Sequence, residues 1–569
     1  MKRFLPLWLM LWTLPALAAH FQLQIIGVKG ALKDNVRAHV DGLILPCDAR
    51  PLQAHLLARR LERQARRALE ALGHYRADVR VAMRHDTCWH ATLRIDPGAP
   101  VRIGQLTLRV LGPGAGDPAW QQLAQKSGLK PGQTLNHGHY EQLKRDWQRH
   151  AREQGYFDAR FRTHEIAVDP DAGQADIRLI LTTGSRYRFG TTDIATARLD
   201  PDLVHRFLRW KRGEPFRLRA LLDTQQDLTD SGYFASIIVR AVPERRAQGM
   251  VPVRVEGAPA RRWLAKGGVG YSTDTGPRLN LGLDNRRVNR QGHQAHLGLL
   301  LSPARSETTL RYDIPLTRPH TDRFTFTGGY QHEDTDAQLS DRWQLGIQWV
   351  EALPSDWLRT VGVAFEHERS RVAGVDDTYR LLMPSLSFTR RETDRLLFPR
   401  RGWRVSLSAR MAARALLSDV GFTQLRLDAN WLHPLGSGRL GTRLSMGTTF
   451  GDDIDRLPAS IRFFAGGDQS VRGYGYQSLG PKDADGKVVG GRNLITASVG
   501  YLHPVWRRLH TGPFMDVGNA FNQSPELKRA VGWALVWDSP VGPIELDMAH
   551  PLDDPTGGVR FHFTLGMAL

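Results

Sequence analysis

From about Arg261 to the C-terminus, apolar and polar residues alternate in segments of roughly ten residues separated by turn residues. Trp343, Leu345, Ile347 and Trp349 alternate with Gln344, Gly346 and Gln348. Trp403, Val405, Leu407, Ala409 and Met411 alternate in the same way with Arg404, Ser406, Ser408 and Arg410. A period of two places each set on one face of a strand, so this half of the chain offers one apolar and one polar face throughout. A soluble sandwich alternates similarly, but about 300 residues without a helical break is long for one sandwich. At about 19 residues per strand and connection, the stretch accommodates about 16 strands of a closed antiparallel barrel, lipid outside and a wet lumen within. Past residue 18 there is no run of about 18 uninterrupted apolar residues. Hydrophobic content is 41% and mean hydropathy −0.37, so a membrane role requires a barrel.

The N-terminus fits export. Lys2 and Arg3 precede an apolar run from Phe4 to Leu17 that ends in Ala16-Leu17-Ala18, predicting a signal peptide over 1–18 with cleavage after Ala18. A membrane-anchoring helix is the weaker reading, since the run is short and holds Pro6 and Pro15. Cys47 and Cys88 are the two cysteines, and in an exported chain they are expected to form one disulfide. Closing a loop of that size contributes about 3–4 kcal/mol in the chain-entropy description. Two isolated thiols lack the paired spacing of a zinc site. The net charge of +19 points an exported chain to anionic head groups and acidic surfaces, and no dense basic tract suggests nucleic acid.

Between these ends the chain repeats. Gly73-His74-Tyr75, Gly155-Tyr156-Phe157 and Gly232-Tyr233-Phe234 recur about every 80 residues, each after a helix-period stretch and before a strand. Gly98-Ala-Pro, Gly184-Ser-Arg and Gly257-Ala-Pro close the units. Each unit reads strand, helix, helix, strand, strand, with the aromatics Tyr75, Phe157 and Phe234 expected to pack back onto the core after the glycine turn. The fold class is therefore α+β followed by all-β, divided as 19–99, 100–184, 185–260 and a barrel over 261–569.

One loop carries a charged motif. Phe463-Phe-Ala-Gly-Gly-Asp-Gln-Ser-Val-Arg-Gly-Tyr-Gly-Tyr476 is followed by the strand-like Phe514-Met-Asp-Val-Gly518. An arginine fork and a carboxylate share two parallel hydrogen bonds, so Arg472 and Asp516 suit a pin between a long loop and the lumen wall. The plain alternative is a solvated arginine in a surface loop.

Three such units and a barrel carrying Val471-Arg-Gly-Tyr474 and Asp516-Val-Gly518 resemble the Omp85 superfamily, whose N-terminal units are POTRA domains. Leu457-Pro to Gly473 and Ser539-Pro-Val-Gly-Pro-Ile-Glu-Leu-Asp547 are similar, within it, to the TamA family. The resemblance covers nearly all of the chain past residue 18. It implies that Arg472 of Val471, Arg472, Gly473 and Tyr474 points into the lumen and meets Asp516, with Gly518 beside it. It implies residence in a Gram-negative outer membrane with the POTRA units in the periplasm, and a part in insertion or secretion of autotransporters and other barrel proteins. The implied partners are a TamB-like inner-membrane-anchored protein docking on the first unit, client barrel proteins and outer-membrane lipids.

The barrel is expected to close between a first strand near Lys266–Ser272 and a last near Arg560–Leu569, with apolar Val559, Phe561, Phe563 and Leu565 on one face of the last. Gly267, Gly268 and Gly270 add no side-chain packing, which makes this seam the place for lateral opening. No Gly-x-Ser-x-Gly, His-Glu-x-x-His, phosphate loop or Cys-x-x-Cys occurs, so no catalytic, metal or cofactor site is expected. The rival readings are a two-partner-secretion exporter, which normally has two POTRA units and a plugging helix, and a passive outer-membrane pore.

Overall fold

The computed structural model describes residues 20–569 except 197, 274, 396–397, 540–541, 556 and 566–569. The expected signal segment, 1–18, lies outside the described residues. Three repeats come first. The first comprises β1 (Gln22–Ile26), α1 (Gly30–Val40), α2 (Pro51–Glu70), β2 (Asp78–His85) and β3 (Trp89–Asp96). The second comprises β4 (Arg102–Leu111), α3 (Ala119–Lys126), α4 (His137–Glu153), β5 (Arg160–Asp169) and β6 (Gln174–Thr182). The third comprises β7 (Arg188–Thr196), α5 (Pro201–His205), α6 (Leu218–Asp230), β8 (Phe234–Ala241) and β9 (Met250–Pro259). Each builds a three-stranded sheet with its last strand in the middle: β1-β3-β2, β4-β6-β5 and β7-β9-β8. In the first two, the opening strand runs parallel to the central one and the other edge is antiparallel.

Helix spacing explains the cores. In α2, Leu57, Leu61, Ala65, Ala68 and Leu69 recur on one face and are buried against Val79, Leu93 and Ile95. Pro51 opens α2 with a preset φ, and the Gln53 side chain accepts the Arg50 N–H at 2.8 Å. In the second repeat Trp120, Leu143 and Trp147 pack on Ile177, Leu179 and Leu181. The repeat glycines take positive φ, +90° at Gly73, +82° at Gly155 and +73° at Gly232, the conformation that turns the chain out of each second helix.

The aromatics behind those glycines differ from expectation. Tyr156 and Tyr233, directly after the glycine, are buried. Tyr75 instead packs against the core of the following repeat and its hydroxyl lies 2.7 Å from His137 Nε2. Phe157 stacks edge-on to Tyr187 and Phe216 at 5.8 and 5.0 Å. Only Phe234 lies in its own sheet, close to Gly257. In the first two triplets the third residue thus covers the joint to the next repeat.

Cys47, just before α2, is bonded to Cys88, between β2 and β3. The bond fastens the helix to the strand hairpin.

The remaining strands form one sixteen-stranded antiparallel sheet, β10 to β25 in chain order. They are β10 (Trp263–Ser272), β11 (Gly276–Asn285), β12 (Gln294–Leu301), β13 (Arg305–Pro315), β14 (Arg323–Asp334), β15 (Gln338–Ala352), β16 (Leu358–Val372) and β17 (Val375–Thr393). There follow β18 (Gly402–Ala412), β19 (Phe422–Leu435), β20 (Gly438–Gly451), β21 (Asn493–Trp506), β22 (Leu509–Phe521), β23 (Lys528–Ser539), β24 (Gly542–Pro551) and β25 (Arg560–Leu565). The outer face is apolar, with Trp343 61% and Leu345 67% exposed, while Glu366, Glu368, Asp516 and Asp547 are buried on the inner face. An apolar exterior around a polar interior reverses the pattern of a soluble domain and suits a hydrocarbon surround.

By contact density the chain forms two compact units, one holding the first two repeats and part of the third, the other the barrel with segments 193–209 and 222–240 of the third. Within the second unit those segments are tied to barrel turns. Gln294 Nε2 donates to Ser231 O at 2.9 Å, Tyr233 Oη to Gly292 O at 2.5 Å, and Arg206 Nη1 to Leu316 O at 2.8 Å.

Replacing both Cys47 and Cys88 by alanine is expected to lower the stability of the first repeat by about 2–4 kcal/mol while leaving the barrel intact. Denaturant-dependent proteolysis of the full chain measures this, and cleavage within 20–97 at unchanged denaturant would contradict it.

Candidate functional site in the barrel lumen

The long connection from β20 to β21, residues 452–492, folds back into the barrel. Bridges Phe463↔Gly491, Ala465↔Leu479 and Lys482↔Val488 give it a hairpin-like core. Phe463, Ala465, Val471, Tyr474 and Leu479 bury against Leu494, Ala520 and Ala530 of the wall. Burial of these apolar groups, about 1.5–3 kcal/mol for each large one, holds the loop against the inner face and brings its polar motif to a fixed place.

Arg472 ends in a dense set of partners. Its Nε donates to Asp516 Oδ2 at 2.8 Å and its Nη2 to Asp516 Oδ1 at 2.9 Å, the bidentate fork. The Arg472 backbone N–H adds a third bond to Asp516 Oδ2 at 3.1 Å. Nη1 donates to Asp547 Oδ2 at 3.0 Å, Nη2 also to Ser498 Oγ at 3.2 Å, and Glu545 stands 3.9 Å away. The guanidinium lies 3.3 Å from the centre of the Phe514 ring. Exposure is 8% for Arg472, 0% for Asp516 and 4% for Asp547, so the charges face one another rather than water. The strands deliver these groups in adjacent positions: Ser498 pairs with Asp516 across β21–β22, and Asp547 pairs with His562 across β24–β25.

Gly473 and Gly518 let the backbones meet. A Cβ on Gly473 would stand 2.7 Å from Ala530 Cβ and 2.9 Å from Pro551 N. One on Gly518 would stand 2.5 Å from Ile495 O. Tyr474 is buried beside them, its hydroxyl 3.5 Å from Arg529 O.

Asp547, Ser498, Phe514 and His562 complete the site and were not singled out from the sequence. The signal for Asp547 is the alternation Glu545-Leu-Asp-Met548, in which exposed Leu546 and Met548 put the two acids on the inner face.

A second set of polar groups grips the same loop from the wall half a sheet away. Ser460 donates from its hydroxyl to Glu368 and lies 3.2 Å from Glu366 Oε1, and its N–H meets Glu368 Oε1 at 3.3 Å. Arg410 Nη2 donates to Ser460 O at 3.0 Å and Gln424 Nε2 to Ile461 O at 2.7 Å. Gln477 Nε2 donates to Glu333 Oε1 at 2.9 Å.

At the sheet's two ends, β10 and β25 lie side by side, but the strand order records no ladder between them among the described residues. Among the described residues the β24–β25 ladder extends from Ile544↔Leu565 to Ala549↔Arg560. Among the described residues, contact across the seam includes side chains: Tyr271 and Phe563 have ring centres 6.2 Å apart, and Thr273 Oγ1 lies 3.4 Å from His562 Nδ1. A Cβ on Gly270 would sit 2.8 Å from Leu565 O, whereas among the described residues one on Gly268 meets nothing within 4 Å and one on Gly267 meets Leu281 at 3.8 Å. Phe561 is exposed on the outer face.

These features belong together in one family. Residues 273–568, slightly more than half of the chain, match the Omp85 superfamily domain. The chain belongs to the Omp85 superfamily. Residues 22–97 match the first POTRA domain of TamA, and residues 121–184 match a POTRA family described as a surface antigen variable number repeat. Two relatives named outer membrane protein assembly factor BamA, from Nitratidesulfovibrio vulgaris (strain Hildenborough) and Neisseria meningitidis serogroup B, are each 24% identical, over 397 and 442 residues. Each alignment takes in 64% of this chain and 49% and 54% of the relative, so the chain spans about half the length of the curated relatives it matches. The crystal structure of Haemophilus ducreyi BamA lacking POTRA domains 1–3 shares the fold, with a TM-score of 0.67 at 16% identity over 82% of this chain and 99% of that one.

Removing the arginine leaves two buried carboxylates without a counter-charge, a local cost of about 3–5 kcal/mol. Arg472→Ala is therefore expected to lower the temperature at which the folded barrel species disappears from semi-native gels, with Arg472→Lys intermediate because an ammonium has no planar fork. Gly473→Ala should act in the same direction through the close contact with Ala530. Unchanged melting for all three would contradict a structural role for the pin.

Proposed function

We propose that this chain is an outer-membrane assembly component of the TamA type, helping barrel proteins such as autotransporters into the membrane through the β10–β25 seam. The observation that carries the reading is that seam. Sixteen strands lie in order and fifteen neighbouring pairs form ladders, while among the described residues the two ends meet through a glycine-rich β10 and a few side-chain contacts. A strand edge presented to the membrane accepts another strand by main-chain pairing, which needs shape and register more than a particular sequence. The match of the first repeat to a TamA POTRA domain favours this branch. The names of the matched relatives support outer-membrane residence, and the repeats then lie in the periplasm.

On this reading the first repeat is the docking site for a TamB-like protein anchored in the inner membrane, and the clients and outer-membrane lipids are met at the seam. The chain performs no bond-making step. A passive pore is the rival, and the loop 452–492 inside the lumen opposes it, since that loop fills space a conducting channel needs.

Two measurements test the proposal. A pull-down from solubilised envelopes with the full chain, and with one lacking residues 20–97, should recover a large inner-membrane-anchored protein only with the former; recovery of neither, together with steady large conductance in planar bilayers, would favour the pore. Second, a disulfide between Tyr271→Cys and Phe563→Cys should stop client assembly until reductant is added, with the parent under the same reductant as control. Assembly at the parent rate with the seam locked would end the lateral-opening reading.

A further inference from the structure

His562 occupies the inner face of β25, the strand that forms one side of the seam, and it touches three parts of the barrel. Its Nε2 is hydrogen-bonded to the carbonyl oxygen of Arg472. Its Nδ1 lies 3.4 Å from Thr273 Oγ1, a long contact to the residue just beyond β10 on the other side of the seam. Across the β24–β25 ladder it stands opposite Asp547, which accepts from Arg472 Nη1. A carbonyl oxygen can only accept, so Nε2 carries a proton, and in the neutral ring Nδ1 then accepts from the threonine hydroxyl. The ring is buried with no more than 3% exposure, so water does not substitute readily for a lost partner.

From this geometry we infer that His562 is a positioning residue that couples the lumen pin to the seam: the loop seated by Arg472 holds β25 in place against β10, and unseating the loop frees β25 to part from β10. The chemistry is one of hydrogen bonding alone. Arg472 fixes the height of its own carbonyl by three bonds to Asp516, and that carbonyl is the acceptor that seats His562. His562 thus joins the lumen loop to β25 from the inner face, within reach of Thr273 on the β10 side. On β25, Phe561 and Phe563 face outward, and the loop motif is met by the inward His562 and, near Gly475, by Arg560. This inference rests on the seam-opening reading above.

The test is a double-mutant cycle on the full-length protein in lipid nanodiscs. Spin labels at Leu281→Cys on β11 and Leu546→Cys on β24, both outward-facing and flanking the seam, report the ratio of open to closed distances. Loss of one buried hydrogen bond predicts that Arg472→Ala and His562→Ala each raise the open-to-closed ratio by about 2- to 10-fold. In the His562→Ala background, adding Arg472→Ala should change the ratio by less than about twofold, because the link it acts through is already gone. His562→Gln, whose amide N–H can reach the same carbonyl, should restore most of the parental ratio and the sensitivity to Arg472→Ala, and it remains available if the alanine variant folds poorly. Equal opening by Arg472→Ala with and without His562 overturns the coupling while leaving seam opening intact. A single closed distance in every variant overturns both.

Discussion

A sheet in hydrocarbon must have no edge. Each unpaired backbone N–H or C=O there costs several kcal/mol, so sixteen strands that leave their ends unpaired would be expelled or would aggregate. In this chain all neighbouring strands from β10 to β25 are paired, and the requirement of closure falls on two strands that are poorly equipped for it. One carries Gly267, Gly268 and Gly270, and the other is described over Arg560–Leu565. The architecture therefore places its closure at one glycine-rich place on the circumference. That is where a partner strand would gain the most by pairing, which is the physical basis of the proposed role.

The lumen loop supplies what the seam lacks. Its apolar residues pack on the wall, and polar anchors hold it from several sides: Arg472 to Asp516 and Asp547, Ser460 to Glu366 and Glu368, and Gln477 to Glu333. Buried charges are a poor source of net stability, because desolvation offsets their attraction. They do specify one arrangement strongly, since displacing any member strands another charge without water. A loop fixed in this way braces the inside of the barrel, and through the contact of the Arg472 carbonyl with His562 the brace reaches the seam strand.

Much of this was legible in the sequence. Period-two alternation over the C-terminal half fixed the barrel because a strand face that meets lipid must be apolar at every second position, as at Trp343 to Trp349. The glycine-aromatic triplets marked the repeats because only a positive φ turns the chain out of α2, α4 and α6 at that point. Arg472 and Asp516 stood out as an isolated charge pair in apolar and glycine-rich surroundings. What the sequence did not disclose depends on register across distant strands. Asp547 and His562 become partners of Arg472 only once β24 and β25 are aligned, and nothing local distinguishes them from other inward polar residues. The grip of Glu366 and Glu368 on Ser460 is separated by about 90 residues of chain and has no spacing signature. The role of Tyr75 and Phe157 at the joints was likewise hidden, because a buried aromatic reads the same whichever core it enters.

The most direct measurement places a photo-crosslinking side chain at Val269 on β10, an outward position 71% exposed, and follows adducts while a barrel client is being assembled. The account predicts transient adducts between Val269 and the terminal strand of the client, which disappear once the client is released. Assembly that proceeds with no adduct at β10, while probes on the POTRA repeats capture the client, would contradict it.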